Sequence, residues 1–271
     1  MNIEYLEGII VYILESLHGG DIRTGKNLCD DIRQYQYDFR EIHIEYKYYD
    51  IENKLALQET LLEIEKEVAS NNYAPIIQLE CHGYPDGIEL ASNEHILWLD
   101  FFNYIRPINI ASYNLLLLNL SMCNGSAVIR GIDPRERAPF RAVIGPEDKA
   151  YPDELQSQWS NFFNRFFSSF KTGSQENICE TAISCKLIYY NQDFVFDVHY
   201  DTPNLFPELF EQWINLNMAE MYKEGGLLML DPISYKKWMA NEFTKVFEKY
   251  KPFYCFYDYR EKLEYTYNRL K

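Results

Sequence analysis

The sequence predicts an α/β fold: a mostly parallel central sheet between two helical layers, with a small helical and hairpin extension at the C-terminus. Three observations carry this. Short β-rich apolar runs alternate with helical stretches through the first two hundred residues, a pattern that builds helix-covered parallel sheets. Asn114–Leu120 (NLLLLNL) is apolar on both faces, as a strand inside such a sheet must be. After about residue 171 the texture changes to an apolar hairpin pattern followed by long helical stretches. The expected division is a core domain over residues 1–200 and an extension over 201–271 packed on it.

Taken in order, Gly8–Glu15 (GIIVYILE) reads as a strand that ends in a loop, Ser16–Thr24. Lys26–Tyr37 reads as a helix, and Glu41–Tyr48 alternates with period two, as a half-buried strand does. Glu52–Ser70 combines helical spacing with strong helix formers. Ile76–Cys81 is the next strand, ending at His82-Gly83, and Pro85-Asp86-Gly87 supplies turn chemistry. Leu97–Asn109 is expected to be helical up to a break near Pro107. The strand Asn114–Leu120 ends at Cys123-Asn124-Gly125; Ala142–Ile144 is a further short strand, and Glu154–Phe170 an aromatic-rich helix. Lys186–Tyr190 and Phe194–Tyr200 read as a hairpin around Asn191-Gln192-Asp193, and Pro207–Tyr222 and Pro232–Tyr250 as helices.

Composition narrows the functional classes. With 26 Lys plus Arg against 41 Asp plus Glu, the net charge of −15 disfavours nucleic acid and anionic membrane as partners, because both require a basic surface. The 23 Tyr and 17 Phe supply ample material for a core. No leader segment is expected at Met1-Asn2-Ile3-Glu4, and the apolar runs are too short to cross a bilayer. Six cysteines without a CxxC pair fit reduced thiols and a cytoplasmic location.

Two apolar strands in the middle of the order end in reactive groups, one in His82-Gly83 and the other in Cys123-x-Gly125, 41 positions later. Binding sites of open parallel sheets lie beyond the C-terminal strand ends, where an imidazole and a thiol from neighbouring strands would meet. An ordinary thiol is only a few per cent thiolate at neutral pH; an adjacent His raises that fraction and later protonates the leaving amine. The amides of Gly83 and Cys123 are the candidate oxyanion donors.

The runs IIQLECHGYPDGIEL, LLLLNLSMCNGSA and APFRAVIGP resemble the caspase-like superfamily of cysteine peptidases, which includes caspases, metacaspases, separases and legumains. The similarity is greatest to bacterial caspase-like and CHAT-type members and covers roughly residues 8–170. It implies a caspase-like three-layer sandwich, with His82 as general acid/base and Cys123 as nucleophile. It further implies a thiol protease without metal or cofactor. The substrate would be a specific protein, such as a gasdermin-like effector in antiviral defence or regulated cell death, with a possible activating partner protein. The sequence departs from the caspase signature Q-A-C-[RQG]-G everywhere except Cys123 and Gly125. Ser121 stands where metacaspases carry an acidic residue, so P1 preference is not inherited from either group.

Two rival readings use other residues. Gly20-Asp21-Ile22-Arg23-Thr24-Gly25-Lys26-Asn27 nearly spells a P-loop, but Asn27 lacks the hydroxyl that would bind Mg²⁺. The same segment also reads as a tight strand-to-helix turn. A non-catalytic caspase-like interaction module is the other reading, since fold does not fix function. Asp21, Glu147 and Asp148 sit in loops expected near the site and could line a pocket for a basic side chain. No zinc-ligand spacing is present, and His18, His43, His95 and His199 receive no role.

Overall fold

The computed structural model describes residues 8–38, 43–133, 135–172, 178–200 and 232–257, together with residues 211 and 215. Its first strand, β1 (Gly8–Ser16), lies second from one edge of the sheet and is buried along its whole length. It pairs in parallel with β2 (His43–Asp50) on one side and β3 (Tyr73–Tyr84) on the other. β3 pairs in parallel with β6 (Leu117–Ser121), and β6 with β7 (Ala142–Gly145). β8 (Ile188–Asn191) closes that edge antiparallel to β7, giving the order β2-β1-β3-β6-β7-β8. A small antiparallel flap, β4 (Gly87–Glu89) and β5 (His95–Leu97), extends from the end of β3 around the Pro85-Asp86-Gly87 turn.

Helices cover both faces, so the architecture is the expected three-layer α/β sandwich. On one face α1 (Thr24–Asp38), α4 (Pro152–Thr172) and α5 (Ile178–Ser184) bury Leu28, Ile32, Trp159, Phe162, Phe163 and Phe167 against Ile9, Val11 and Ile13 of β1. On the other, α2 (Lys54–Ser70) and α3 (Trp98–Ala111) bury Leu57, Leu61, Ile64, Trp98, Phe101 and Phe102 against Ile10, Tyr12 and Leu14. The alternation of β1 between the two clusters is the period-two signature of a strand dry on both sides. Asn53 caps α2, its side chain accepting from the Ala56 amide at 3.0 Å.

Two elements differ from expectation. The hairpin around Asn191-Gln192-Asp193 does not form: β8 ends at Asn191 and the chain continues as α6 (Gln192–Tyr200). The apolar alternation after Asp193 favours a strand, but Asn191 Oδ1 accepts from the Phe194 amide at 2.8 Å and caps a helix instead. That helix turns Val195 and Phe196 into the core. Pro107 does not break its helix either, because α3 runs on to Ala111. The segment 207–222 lies outside the described residues, apart from Glu211 and Asn215.

The last described helix, α7 (Pro232–Tyr254), ends by driving Tyr254, Cys255 and Phe256 into the same core as α2 and α3. Gln192 donates to the Cys255 carbonyl at 3.0 Å, and Arg137 donates to the Phe253 carbonyl at 2.9 Å while lying over the Phe253 and Phe256 rings. Among the described residues no helix is long and apolar enough to cross a membrane.

Candidate active site

The geometry of the site follows from one register. Ile76 pairs with Leu117 and Glu80 with Ser121, an offset of 41 residues. His82 and Cys123 carry the same offset. They therefore continue the β3–β6 ladder side by side, just past its last bonded pair. Parity then fixes the face. Ile76 and Leu117 belong to the α1/α4 core, so the residues an even number of positions later, Glu80, His82, Ser121 and Cys123, start from that same face. Cys81 and Met122 take the opposite face, where their sulfurs meet at 4.0 Å in the α2/α3 core.

Gly83 is needed for this closeness. A Cβ there would stand 2.0 Å from the Cys123 carbonyl oxygen and 2.7 Å from Met122 Cγ. The backbones of the His-Gly and Cys-x-Gly turns thus lie against each other. Just past Cys123 the chain turns sharply: Asn124 adopts a left-handed conformation (φ 56°), which Asn tolerates, and a 3₁₀ helix begins at Gly125.

The imidazole is held from below. His82 Nε2 lies 3.0 Å from Asp21 Oδ2, and the same oxygen accepts from the His18 amide at 2.9 Å. The Asp21 amide in turn donates to the His18 carbonyl at 3.1 Å, closing a tight turn between β1 and α1. The His18 ring stacks on His82 with centroids 4.9 Å apart. Burial alone would raise the Asp21 carboxyl. Hydrogen bonds from the His82 ring and His18 amide, with the charges of both imidazoles, outweigh it and hold Asp21 below the ordinary carboxylate range. A carboxylate at Nε2 fixes the proton on that nitrogen and leaves Nδ1 as the basic atom of His82.

Cys123 is half-buried and its thiol donates to the Ala150 carbonyl at 3.6 Å; it makes no hydrogen bond to His82. The loop between β7 and α4 is fastened over it. Asn124 N donates to the Asp148 carbonyl and Ser126 N to the Pro146 carbonyl, both at 3.1 Å, and the Ser126 hydroxyl reaches the Glu147 carbonyl at 3.2 Å. Glu147 and Asp148 therefore contribute backbone here, and both residues are exposed.

Beneath the His–Cys pair lies a row of buried polar groups. Glu15, Glu80 and Ser121 are paired across β1, β3 and β6 and are all nearly inaccessible. Glu15 is neutralised by Arg23 (Nε–Oε2 2.7 Å) and accepts from Tyr48 Oη at 2.5 Å and from the Gly25 amide at 2.8 Å. Glu80 accepts from Thr24 Oγ1 at 2.7 Å and Gln78 Nε2 at 2.8 Å. Its pKa is pushed up to about 7: complete burial raises it, the Ser121 and Thr24 hydroxyls and Gln78 amide pull it back, and the Glu15 charge adds to the rise.

The same row decides how the Gly20–Lys26 segment is used. The Gly25 amide at the start of α1, which a P-loop would offer to phosphate, is already bonded to Glu15. Glu80 lies beneath as well, with its Cγ 2.9 Å from where a Gly25 Cβ would stand. Two buried carboxylates oppose a phosphate at this turn.

His82, Gly83 and Cys123 thus lie at the ends of adjacent strands, with the imidazole on Asp21 and the thiol on the Ala150 carbonyl, and Asp21 is the partner of the imidazole rather than a free pocket residue. His18 and Glu80 were not foreseen. The available signals were an His-x-x-Asp pair in the loop after the first strand and an acidic residue two places before His82. No family model matches the chain. No curated protein matches it either.

Proposed function

We propose that this protein is a caspase-like cysteine endopeptidase. Cys123 attacks the scissile carbonyl carbon as a thiolate, and its proton passes to Nδ1 of His82. The amides of Gly83 and Cys123 hold the oxyanion, a contribution of about 3–4 kcal/mol per donor in comparable sites. His82 then protonates the leaving amine, and a water deprotonated by His82 releases the acyl group from sulfur. Asp21 acts as the positioning residue that sets the tautomer of the imidazole. The observation that supports this reading is the common register of His82 and Cys123 at the ends of adjacent parallel strands.

The thiol bonded to the Ala150 carbonyl rather than to the imidazole describes a resting form. Rearrangement of the β7–α4 loop by a substrate or an activating protein would free it. By analogy with bacterial members of the class, the substrate is a specific cytoplasmic protein, such as a gasdermin-like effector in defence or regulated death. The resting thiol also favours one second reading, a non-catalytic interaction module that keeps the fold.

Intact-mass labelling with peptidyl electrophiles differing at P1 separates the two. The peptidase reading expects fast labelling at one site, lost in both Cys123→Ala and His82→Ala, and the electrophile that labels fastest reads out the P1 preference. Labelling no faster than that of the other cysteines, with or without candidate partners, would leave the interaction module.

A further inference from the structure

We infer that His18, Asp21 and His82 form a binding site for a divalent cation of the zinc type, and that occupancy of this site switches Cys123 off. One ligand atom from each residue lies within 4.8 Å of the others. His82 Nε2 is 3.0 Å and His18 Nδ1 is 3.7 Å from the same carboxylate oxygen of Asp21. A tetrahedral ion bonded at about 2.0–2.1 Å needs donor atoms roughly 3.3 Å apart, so the His18 ring turns out of its stack on His82 to bring its lone pair to the ion. Two imidazoles and one carboxylate suit zinc and its neighbours rather than calcium or magnesium, which take oxygen donors.

A second observation concerns the other ring nitrogen of His18. His18 Nε2 is buried and makes no hydrogen bond, yet it faces Glu89 Oε1 at 3.9 Å. Glu89 is held there by its pairing with His82 in the β3–β4 ladder. A histidine that ligates through Nδ1 characteristically hands its other N–H to a carboxylate, which orients the ring and raises its basicity. The loop turn closed by the Asp21 and His18 amides presets the two near ligands before the third arrives from β3.

The ion occupies the Nε2 lone pair of His82, the nitrogen that otherwise carries the proton toward Asp21. A neutral, metal-bound imidazole then bears its proton on Nδ1, so Nδ1 no longer accepts the proton of the Cys123 thiol. Three protein ligands leave a fourth position open to water. The effect on the thiol rests on the peptidase reading above; the cation site does not.

Two measurements on the full chain test the site and the switch separately. Zn²⁺ is titrated against a chromophoric chelator in the wild type, His18→Gln, Asp21→Asn, His18→Cys and Cys123→Ala. The expected result is one Zn²⁺ per chain, weakened about ten- to hundredfold in His18→Gln and Asp21→Asn. Binding should be restored by His18→Cys and retained in Cys123→Ala. Absence of stoichiometric Zn²⁺, or equal affinity in all variants, or loss only in Cys123→Ala, overturns the site. Electrophile labelling of Cys123 is then compared in chelator and in Zn²⁺. A drop of tenfold or more in the wild type, absent from His18→Gln, supports the switch. An unchanged rate at a Zn²⁺-loaded site overturns it. Slow labelling in chelator, with and without candidate partners, removes the peptidase reading and the switch together, while the titration still supports or overturns the cation site by itself.

Discussion

An Asp21→Asn replacement keeps the shape of the side chain and removes the one property on which His82 depends. The carboxylate can only accept, so it draws the ring proton to Nε2 and leaves Nδ1 basic. An amide can instead donate to Nε2 and reverse the tautomer. Cys123 labelling in metal-free buffer should therefore fall by about tenfold to a hundredfold in Asp21→Asn, with partial recovery in Asp21→Glu. Its pH profile should also shift to higher pH, which a merely structural loss would not produce. Equal rates and profiles in all three proteins would remove Asp21 from the chemistry. His82 and Cys123 were legible in the sequence because each closes an apolar run and is followed by glycine. Asp21 was legible only as a loop acid, since loop sequence does not say which side chain folds back onto a strand 61 residues away.

Among the elements, the β1–β3–β6 ends combine a dry sheet with buried charge. Glu80 keeps its proton up to about 7 in the folded chain, against an ordinary value of 4.5. The folded state thus binds more protons than the unfolded one between those values. Stability attributable to Glu80 is fully present below about 4.5 and is lost as pH rises through about 7, by about 3 kcal/mol at most. Urea unfolding of wild type and Glu80→Gln at pH 5 and pH 8, both in chelator, tests this. The glutamine variant should be insensitive to that step and the more stable of the two at pH 8. Parallel behaviour of both proteins would mean that Ser121, Thr24 and Gln78 compensate the charge fully. The buried Glu15–Glu80 row was not legible, because single acidic residues at strand ends read as solvated until the covering loop is placed. The α6 helix was misread for a related reason: the β-rich composition of Phe194–Tyr200 is local, whereas the cap from Asn191 and the burial of Phe196 are set by tertiary position.

For the molecule as a whole, the layered α/β architecture was readable from periodicity alone, and so was a C-terminal extension packed on the core, but not which of its residues enter that core. Phe256 is 1% exposed and sits at φ 58°, a left-handed conformation that bulky residues avoid at a cost of about 1–2 kcal/mol. Its retention there implies that ring burial outweighs the strain. Phe256→Ala should lower the unfolding free energy by about 3–5 kcal/mol in one cooperative transition that also reports loss of the β-sheet signal. A loss below about 1 kcal/mol, or a separate early transition, would show that α7 is dispensable to the sandwich.

The even spacing of Ile76 to His82 and of Leu117 to Cys123 makes strand length, more than residue identity, the quantity this site must preserve. Conservative exchanges at the apolar positions of β3 or β6 alter packing only. One inserted residue in either strand alone would carry its reactive group through the sheet into the α2/α3 core. One inserted residue in both would send the pair there together, still adjacent and cut off from any substrate. Only changes of two residues, made in both strands, keep the imidazole and thiol adjacent and on their present face. Length variation in this protein is therefore expected to collect in its connections, with the two strands drifting in composition but not in count.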